Sequence, residues 1–292
     1  KFVVSGSKES FLSMNNILMV TSIFSIFLGV TYPLIIEAIN GEKVSIGPPY
    51  YNTIFTPLIL ITAIFIMASV DSLWQRSKSL KSYVYRTFFP VILTILFTYF
   101  VWHITETFSI LSYIGIFSGS LILFTYLLRV LNNFFYKKFI NKGSAVAHIG
   151  LGLLFLAVSL NSILSYEKNL NLAPGESIFV NESIKEFSFD DIKVLKASNH
   201  DVISVEVSLL QDGKNIFLNP QKRKYATRGQ ITTESSIYTS ILKDTYLTIG
   251  DQLENGSWTF ALKINYFIKW IWFSASLMVM GILITIFKKK AT

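Results

Sequence analysis

Residues 143–160 read GSAVAHIGLGLLFLAVSL, an apolar run that carries one imidazole. Hydrocarbon about 30 Å thick takes roughly 20 apolar residues of helix to cross, and this run reaches that length when extended to about residue 165. Its character recurs along the chain. Of 292 residues, 51% are hydrophobic and 25 are Phe, and the mean hydropathy is +0.49. Charged residues make up 15%, against about 25% in ordinary soluble domains. The same length criterion marks six stretches, at about 16–38, 52–74, 87–105, 107–130, 144–165 and 267–287. The chain therefore reads as a polytopic α-helical membrane protein of about six transmembrane helices. A five-helix region covers 1–165, a β-rich extracytoplasmic domain at 166–266 is inserted between the last two helices, and 267–292 holds the last helix and a basic cytoplasmic tail.

Charge supplies the orientation, because Lys and Arg accumulate in short cytoplasmic loops. Arg76, Lys78, Lys81 and Arg86 lie between the second and third stretches, Arg129, Lys137, Lys138 and Lys142 between the fourth and fifth, and KKK at 288–290 after the sixth. The intervening connections NGEKVSIGPPYYN and ITET hold one Lys and none. Both termini are expected on the cytoplasmic side and 166–266 outside. Residues 166–266 contain 11 basic and 13 acidic side chains, and the rest of the chain 15 and 5. The net charge of +8 is thus a topology signal and an attraction to anionic lipid headgroups, not a nucleic-acid footprint.

The absence of cysteine excludes disulfides, thiolate metal sites and a cysteine nucleophile. The opening KFVVSGSKES has no apolar core and no small-residue cleavage site, so it is not read as a signal peptide; it reads as the middle of something longer. In 166–266, DVISVEVSLLQDGKNIFLNP alternates apolar and polar residues around QDGK, a hairpin-turn signal. SIKEFSFDDIKVLKAS and DTYLTIGDQLENGSWTFALKI carry similar runs.

Three histidines are available to carry chemistry. His200, in KASNHDVIS, reads as a solvated turn residue, and His103, beside Trp102, as an anchor at a membrane interface. His148 differs, because it lies inside a span, where an ionisable residue is a functional-site hypothesis by default. Ser144, His148 and Gly152 fall at i, i+4 and i+8 and share a helical face, with Ala145 and Ala147 widening the small-residue patch. Two readings stay open at this level. A planar porphyrin needs such clearance, and neutral imidazole is an axial ligand of haem iron; small-residue faces also pack helices, with a histidine bonding across to a neighbour. Gly47-Pro48-Pro49 reads as a rigid turn in an outer loop. Lys222, Arg223 and Lys224 read as a solvated charged turn, with pairing to a haem propionate as the alternative. No Walker motif, G-x-S-x-G, H-E-x-x-H, nucleophile–base pair or carboxylate dyad occurs, so no catalytic residue is named.

Several stretches taken in order resemble the CcmF family of cytochrome c maturation proteins, in its C-terminal portion. They are SKESFLSMNNILMVTSIFSIFLGVTYPLIIEAINGEKVSIGPPYYNTIFTPL, AHIGLGLL, NPQKRKYATRGQITTESSI, DTYLTIGD and WTFALKINYFIKWIW. The resemblance implies a component of a haem lyase (holocytochrome c synthase) in the bacterial cytoplasmic (inner) membrane, with 166–266 periplasmic. It implies haem transfer, reduction and covalent attachment of haem to apocytochrome c at the outer face. The partners implied are a CcmE-type haem chaperone, CcmH-type subunits, apocytochrome c, quinol as reductant, and membrane lipid. It further implies a b-type haem in the bundle, with the histidine of the family's AHxG stretch, here His148, as one axial ligand of the iron. The family's tryptophan-rich WWD segment, its flanking histidines and the second axial histidine belong to the N-terminal portion of CcmF. That portion is absent from these residues and is expected as a partner, whether this chain is a fragment or one product of a split gene. Lys8 stands where the family has Arg, and the proline before WIW is replaced around Tyr266, so the last helix is expected to start without a proline kink. The alternative function is a permease-like or scaffold membrane protein without haem.

Overall fold

The structure is a computed structural model and describes residues 6–72, 80–105, 107–136, 142–197, 199–225 and 230–290. Arg76, Lys78, Lys137 and Lys138, used above for orientation, lie outside the described residues. The chain divides into two compact units, Lys1–Ile163 with Trp270–Thr292, and Leu164–Lys269.

The first unit is helical: α1 (Lys8–Asn40), α2 (Pro48–Asp71), α3 (Leu80–Ile104), α4 (Ile110–Tyr136), α5 (Lys142–Leu164) and α6 (Ile268–Lys290), whose first two residues belong to the second unit. Among the described residues, α1, α4, α5 and α6 are long and apolar enough to cross a membrane, and α3 carries a shorter apolar stretch, Phe88–Ile104. The helix ends follow local chemistry. The Ser7 hydroxyl accepts from the Ser10 amide at 3.3 Å, a serine N-cap, and Gly41 closes α1 at φ 74, a conformation glycine adopts without a Cβ penalty. Gly47 caps α2 and Pro48 occupies its first turn, where the missing N–H would have no intrahelical partner. The Gly-Pro-Pro motif therefore starts a helix, where the sequence reading had a rigid outer loop.

Small residues bring the helices together. A Cβ built on Gly29 would lie 2.7 Å from the Tyr50 ring, whose hydroxyl donates to the Ser25 carbonyl at 2.8 Å. One on Gly150 would lie 2.8 Å from the Ser274 carbonyl oxygen, and one on Gly281 would lie 2.5 Å from the Ala147 nitrogen. Backbone-to-backbone contact of this kind packs helices where lipid removes any hydrophobic drive for them to associate.

The second unit is a sandwich of two antiparallel sheets. Its strands are β1 (Tyr166–Leu172), β2 (Ser177–Ile178), β3 (Ile184–Lys196), β4 (His200–Gln211), β5 (Lys214–Leu218), β6 (Gln221–Tyr225), β7 (Ile231–Glu234), β8 (Ser236–Thr239), β9 (Lys243–Gln252) and β10 (Trp258–Tyr266). One sheet runs β1-β10-β9-β8 and the other β2-β3-β4-β6-β7, with β5 pairing the far half of β4. The alternation seen in VISVEVSLL becomes burial: Val205, Val207 and Leu209 are at most 1% exposed and point to one face because strand side chains repeat every two residues. Phe260 from one sheet meets Phe187 and Phe189 from the other, with ring centroids 5.5 and 5.2 Å apart and steep interplanar angles, the edge-to-face arrangement aromatic pairs favour. The QDGK signal is a two-residue hairpin with positive φ at Asp212 (49) and Gly213 (75), as a type I′ turn requires.

Asp212 also fastens that turn. Its carboxylate meets Lys243 Nζ at 2.5 Å and accepts from the Ser183 hydroxyl at 3.0 Å. Burial pushes its pKa up, but the hydrogen bonds from Lys243 and Ser183, with the nearby Lys charges, outweigh this and hold the carboxyl below its ordinary range.

Two outcomes follow for the full chain in detergent. Phe260→Ala should destabilise the sandwich by about 3–5 kcal/mol, while Phe217→Ala, at a 74% exposed side chain, should stay within about 0.5 kcal/mol; amide hydrogen exchange along β9 and β10 reads both. A carboxyl whose folded pKa is depressed adds stability above its unfolded pKa and loses it as pH falls through the folded value. The stability gap between wild type and Asp212→Asn should therefore be full at neutral pH and close as pH drops through and below the usual carboxylate range, read by the same exchange at stepped pH.

Candidate functional site

α4 and α5 run antiparallel and lie against each other along their length. At one end the Thr107 hydroxyl donates to the Ile163 carbonyl at 2.9 Å, and the Ser112 and Ser162 hydroxyls are 3.2 Å apart. Farther along, a Cβ on Gly119 would lie 2.9 Å from the Gly152 carbonyl oxygen, and one on Gly152 would lie 2.9 Å from that of Gly119. Ile122 and Tyr126 of α4 then pack with Ala145 of α5 and Ala63 of α2, all 6% exposed or less. His148 lies at this end, six residues after the start of α5.

Two contacts fix the imidazole. Nδ1 is 2.7 Å from the Ser144 carbonyl oxygen; a carbonyl only accepts, so Nδ1 carries the hydrogen and the lone pair is on Nε2. The Ser144 hydroxyl is 3.4 Å from the same nitrogen, too long to rival the carbonyl. The Tyr126 ring stacks on the imidazole, with centroids 4.5 Å apart and planes 16° from parallel. Arg129, one turn on in α4, places its guanidinium carbon 5.9 Å from the Tyr126 centroid, within cation–π range.

This geometry fits an axial ligand of a porphyrin iron. Metal-bound histidines ordinarily donate their second ring N–H to a carbonyl or carboxylate, which sets tautomer and orientation. The tyrosine lies over the face of the ring, whereas the Nε2 lone pair points outward in its plane. Among the described residues, no three His, Cys, Asp or Glu gather as a metal site, so the donor this chain offers here is a single imidazole. That suits an iron whose equatorial positions a macrocycle fills.

The other sequence candidates separate. Gly152, open in the sequence to clearance or packing, is filled by α4: its Cβ position is 2.9 Å from both the Gly119 carbonyl oxygen and the Leu123 nitrogen, so it serves helix packing. His103 is exposed at the end of α3, stacked on Tyr99 with centroids 6.3 Å apart and planes 7° from parallel. It adjoins the start of α4, whereas His148 packs on the far part of that helix, and the two are not brought together. Glu106 lies outside the described residues. His200 opens β4, paired with Tyr225 of β6 and 5.1 Å from its ring, with Nδ1 against the Asn199 side chain; it belongs to a strand, not to a solvated turn. Lys222 and Arg223 lie in strand β6 as well. Lys222 pairs with Asp251 across the two sheets, and Arg223 contacts Gln221 at 3.0 Å and Glu234 at 3.6 Å. A strand with ion-pair partners on neighbouring strands takes the place of the charged turn expected from NPQKRKY. Tyr126 went unnoticed in the sequence and Arg129 entered only as an orientation charge; an aromatic and a cation three residues apart in FTYLLRV are ordinary until the α4–α5 register sets Tyr126 beside His148.

The family model described as the CcmF C-terminal beta-sandwich matches residues 163–266. The chain is a relative of the CcmF family. A cytochrome c-type biogenesis protein CcmF of Pseudomonas fluorescens is 30% identical over 290 residues, covering 94% of this chain and 43% of that protein. The CcmF of Escherichia coli K12 is 27% identical, covering 96% of this chain and 44% of its own length. A solved structure named "Cytochrome c Heme Lyase CcmF" superposes with a TM-score of 0.71 at 16% identity, over 96% of this chain and 46% of that one; at that identity the match speaks for the fold. The chain thus spans a little under half the length of the CcmF relatives it matches.

The glycine contact is open to a direct test in a chain without cysteine. Ser112→Cys combined with Ser162→Cys should form a disulfide under mild oxidant. Adding Gly152→Val should lower the yield, because its side chain meets the α4 backbone; mobility on non-reducing gels reads the result.

Proposed function

We propose that the chain takes part in cytochrome c maturation as the C-terminal part of a CcmF-like haem lyase, attaching haem to apocytochrome c. Its partners in this reading are an N-terminal CcmF portion, a CcmE-type haem chaperone, CcmH-type subunits, apocytochrome c and quinol. All six helices cross the bacterial inner membrane, both termini are cytoplasmic, and the sandwich is periplasmic. The Lys and Arg bias of the connections supports that orientation, and kinship to CcmF proteins supports the pathway.

The single observation that carries the site assignment is the 2.7 Å contact of His148 Nδ1 with the Ser144 carbonyl oxygen. Its Nδ1–H is committed to the Ser144 carbonyl, which leaves Nε2 as a ligand for the iron of a b-type haem. The N-terminal portion would supply the iron's other protein ligand. When bound, such a haem supplies one-electron redox chemistry inside the bundle. This chain's part is to hold and orient: the Ser144 carbonyl fixes the ring's hydrogen, Tyr126 fixes its plane, and the Gly119–Gly152 contact fixes the distance between the helices that carry them. No side chain of this site is a general acid or base in the proposal.

The test is a reduced-minus-oxidised optical spectrum of the chain purified with its N-terminal portion. A b-type signal should be present in the wild type, absent in His148→Ala and retained in Ser144→Ala, since the bonding carbonyl belongs to the backbone. Co-purification of the two portions in all three proteins separates lost ligation from lost assembly. A full signal in an assembled His148→Ala complex would reassign the histidine to helix packing and favour a membrane scaffold without haem at this site.

A further inference from the structure

The hairpin joining β8 to β9 turns through 240–243. The Ser240 amide donates to the Lys243 carbonyl at 2.9 Å, and the Ser240 hydroxyl accepts from the Lys243 amide at 3.2 Å. Tip positions of so tight a turn ordinarily carry Gly, Asn, Asp or Ser. Here they are Ile241 and Leu242, 72% and 53% exposed. Neither residue belongs to the buried core of the sandwich, and most of each side chain faces outward. An exposed apolar pair at a hairpin tip marks a surface that something apolar covers.

The position of the tip identifies the cover. The Leu242 carbonyl accepts from the Phe267 amide at 2.8 Å, and Phe267 immediately precedes α6. Phe267 holds φ 61, a left-handed conformation unfavourable for an L-residue that the bond to the tip helps maintain. It stands between the end of β10 and the start of α6, where no proline occurs. The Tyr266 amide donates to the Ser165 hydroxyl at 3.1 Å, which ties the end of β10 to the residue after α5. The tip, the start of β1 and the end of β10 therefore share one end of the sandwich, from which the chain continues in both directions into long apolar helices. Lys243 Nζ stands 6.0 Å from the Tyr266 ring centroid behind the tip, and Tyr and Lys favour headgroup level.

We infer that Ile241 and Leu242 insert into the boundary between lipid headgroups and hydrocarbon, holding the sandwich to the bilayer at a third point besides its two chain connections. The occupant of this patch is lipid. The inference rests on reading α5 and α6 as membrane spans, as in the proposed function. Val194, 70% exposed, provides a contrast. Ile184 of β3 pairs with Gln211 beside the Asp212 turn, and Val194 lies ten residues farther along the strand, about 33 Å at roughly 3.3 Å per residue.

The test uses single-cysteine variants of the full chain in vesicles of phosphatidylethanolamine and phosphatidylglycerol. Ile241→Cys, Met280→Cys in the middle of α6, and Val194→Cys each carry a nitrobenzoxadiazole label, with nitroxide lipids as quenchers. The expected result is strong quenching of position 241 by a nitroxide shallow in the acyl chain, quenching of 280 by a deep one, and quenching of 194 by neither. Position 241 behaving like 194 while 280 is quenched would overturn the anchor and leave the spans intact. An unquenched 280 would overturn the spans and the anchor with them. Placing Ile241→Asp beside a labelled Leu242→Cys should reduce quenching at 242; unchanged quenching there would show that the probe, not the native side chain, drives insertion.

Discussion

The contact in which the Gly119 and Gly152 backbones touch is the constraint on which the rest of the helical site depends. Two helices can approach this closely only where neither carries a side chain, and here a Cβ on either glycine would stand 2.9 Å from the other's carbonyl oxygen. That proximity fixes the register of α4 against α5, and the register brings Tyr126 over His148. With larger residues at the crossing the helices would separate by more than the 4.5 Å ring stack tolerates. The imidazole would keep its bond to the Ser144 carbonyl, because that bond is internal to α5, but it would lose the surface that orients its plane.

α5 is in effect two-sided. Gly152 and Leu156 face α4, while Gly143, Ala147 and Gly150 meet α6 at Gly281 and Ser274. A helix confined by two backbones has little freedom to rotate, and His148, one turn before Gly152, is held on the α4 side against Tyr126. This is how a packing motif and a ligand position coexist in GSAVAHIGLGLL. The small residues serve packing, and packing makes the histidine's direction definite. The sandwich meets its own constraint differently, with Phe187, Phe189 and Phe260 interlocking across two sheets and with the Thr245 hydroxyl donating to the Gln211 side chain at 2.7 Å in its interior, so that these buried polar groups are paired.

Much of this was legible in the residues. His148 stood out because a titratable group is expensive in an apolar helix, and the resemblance to CcmF gave the position a role to be tested. The helical stretches followed from hydropathy, although α1 begins at Lys8 and α3 at Leu80, earlier than the apolar runs, because a helix continues into polar residues that cap it. Gly152 left clearance and packing both open for a physical reason: an empty Cβ position looks the same in sequence whether a ligand or a neighbouring backbone fills it. Lys222 and Arg223 were misread as a turn, since their partners Asp251 and Glu234 stand 29 and 11 residues away in the chain.

By itself the sequence determined what depends on near neighbours. That comprises the apolar helices, the caps at Ser7 and Gly47, the alternation that makes β4 a half-buried strand, and the Asp-Gly turn, whose positive φ angles suit those two residues. The tertiary structure alone decided what depends on register between distant segments. Tyr126 lies over His148 rather than toward lipid, Lys222 joins one sheet to the other, and the Ile241–Leu242 tip comes to rest beside Phe267. The division has one cause. Hydrogen bonds within a helix or a turn are set by the residues that make them, whereas contact between elements is set by how closely two backbones can approach, and no single stretch of sequence contains both.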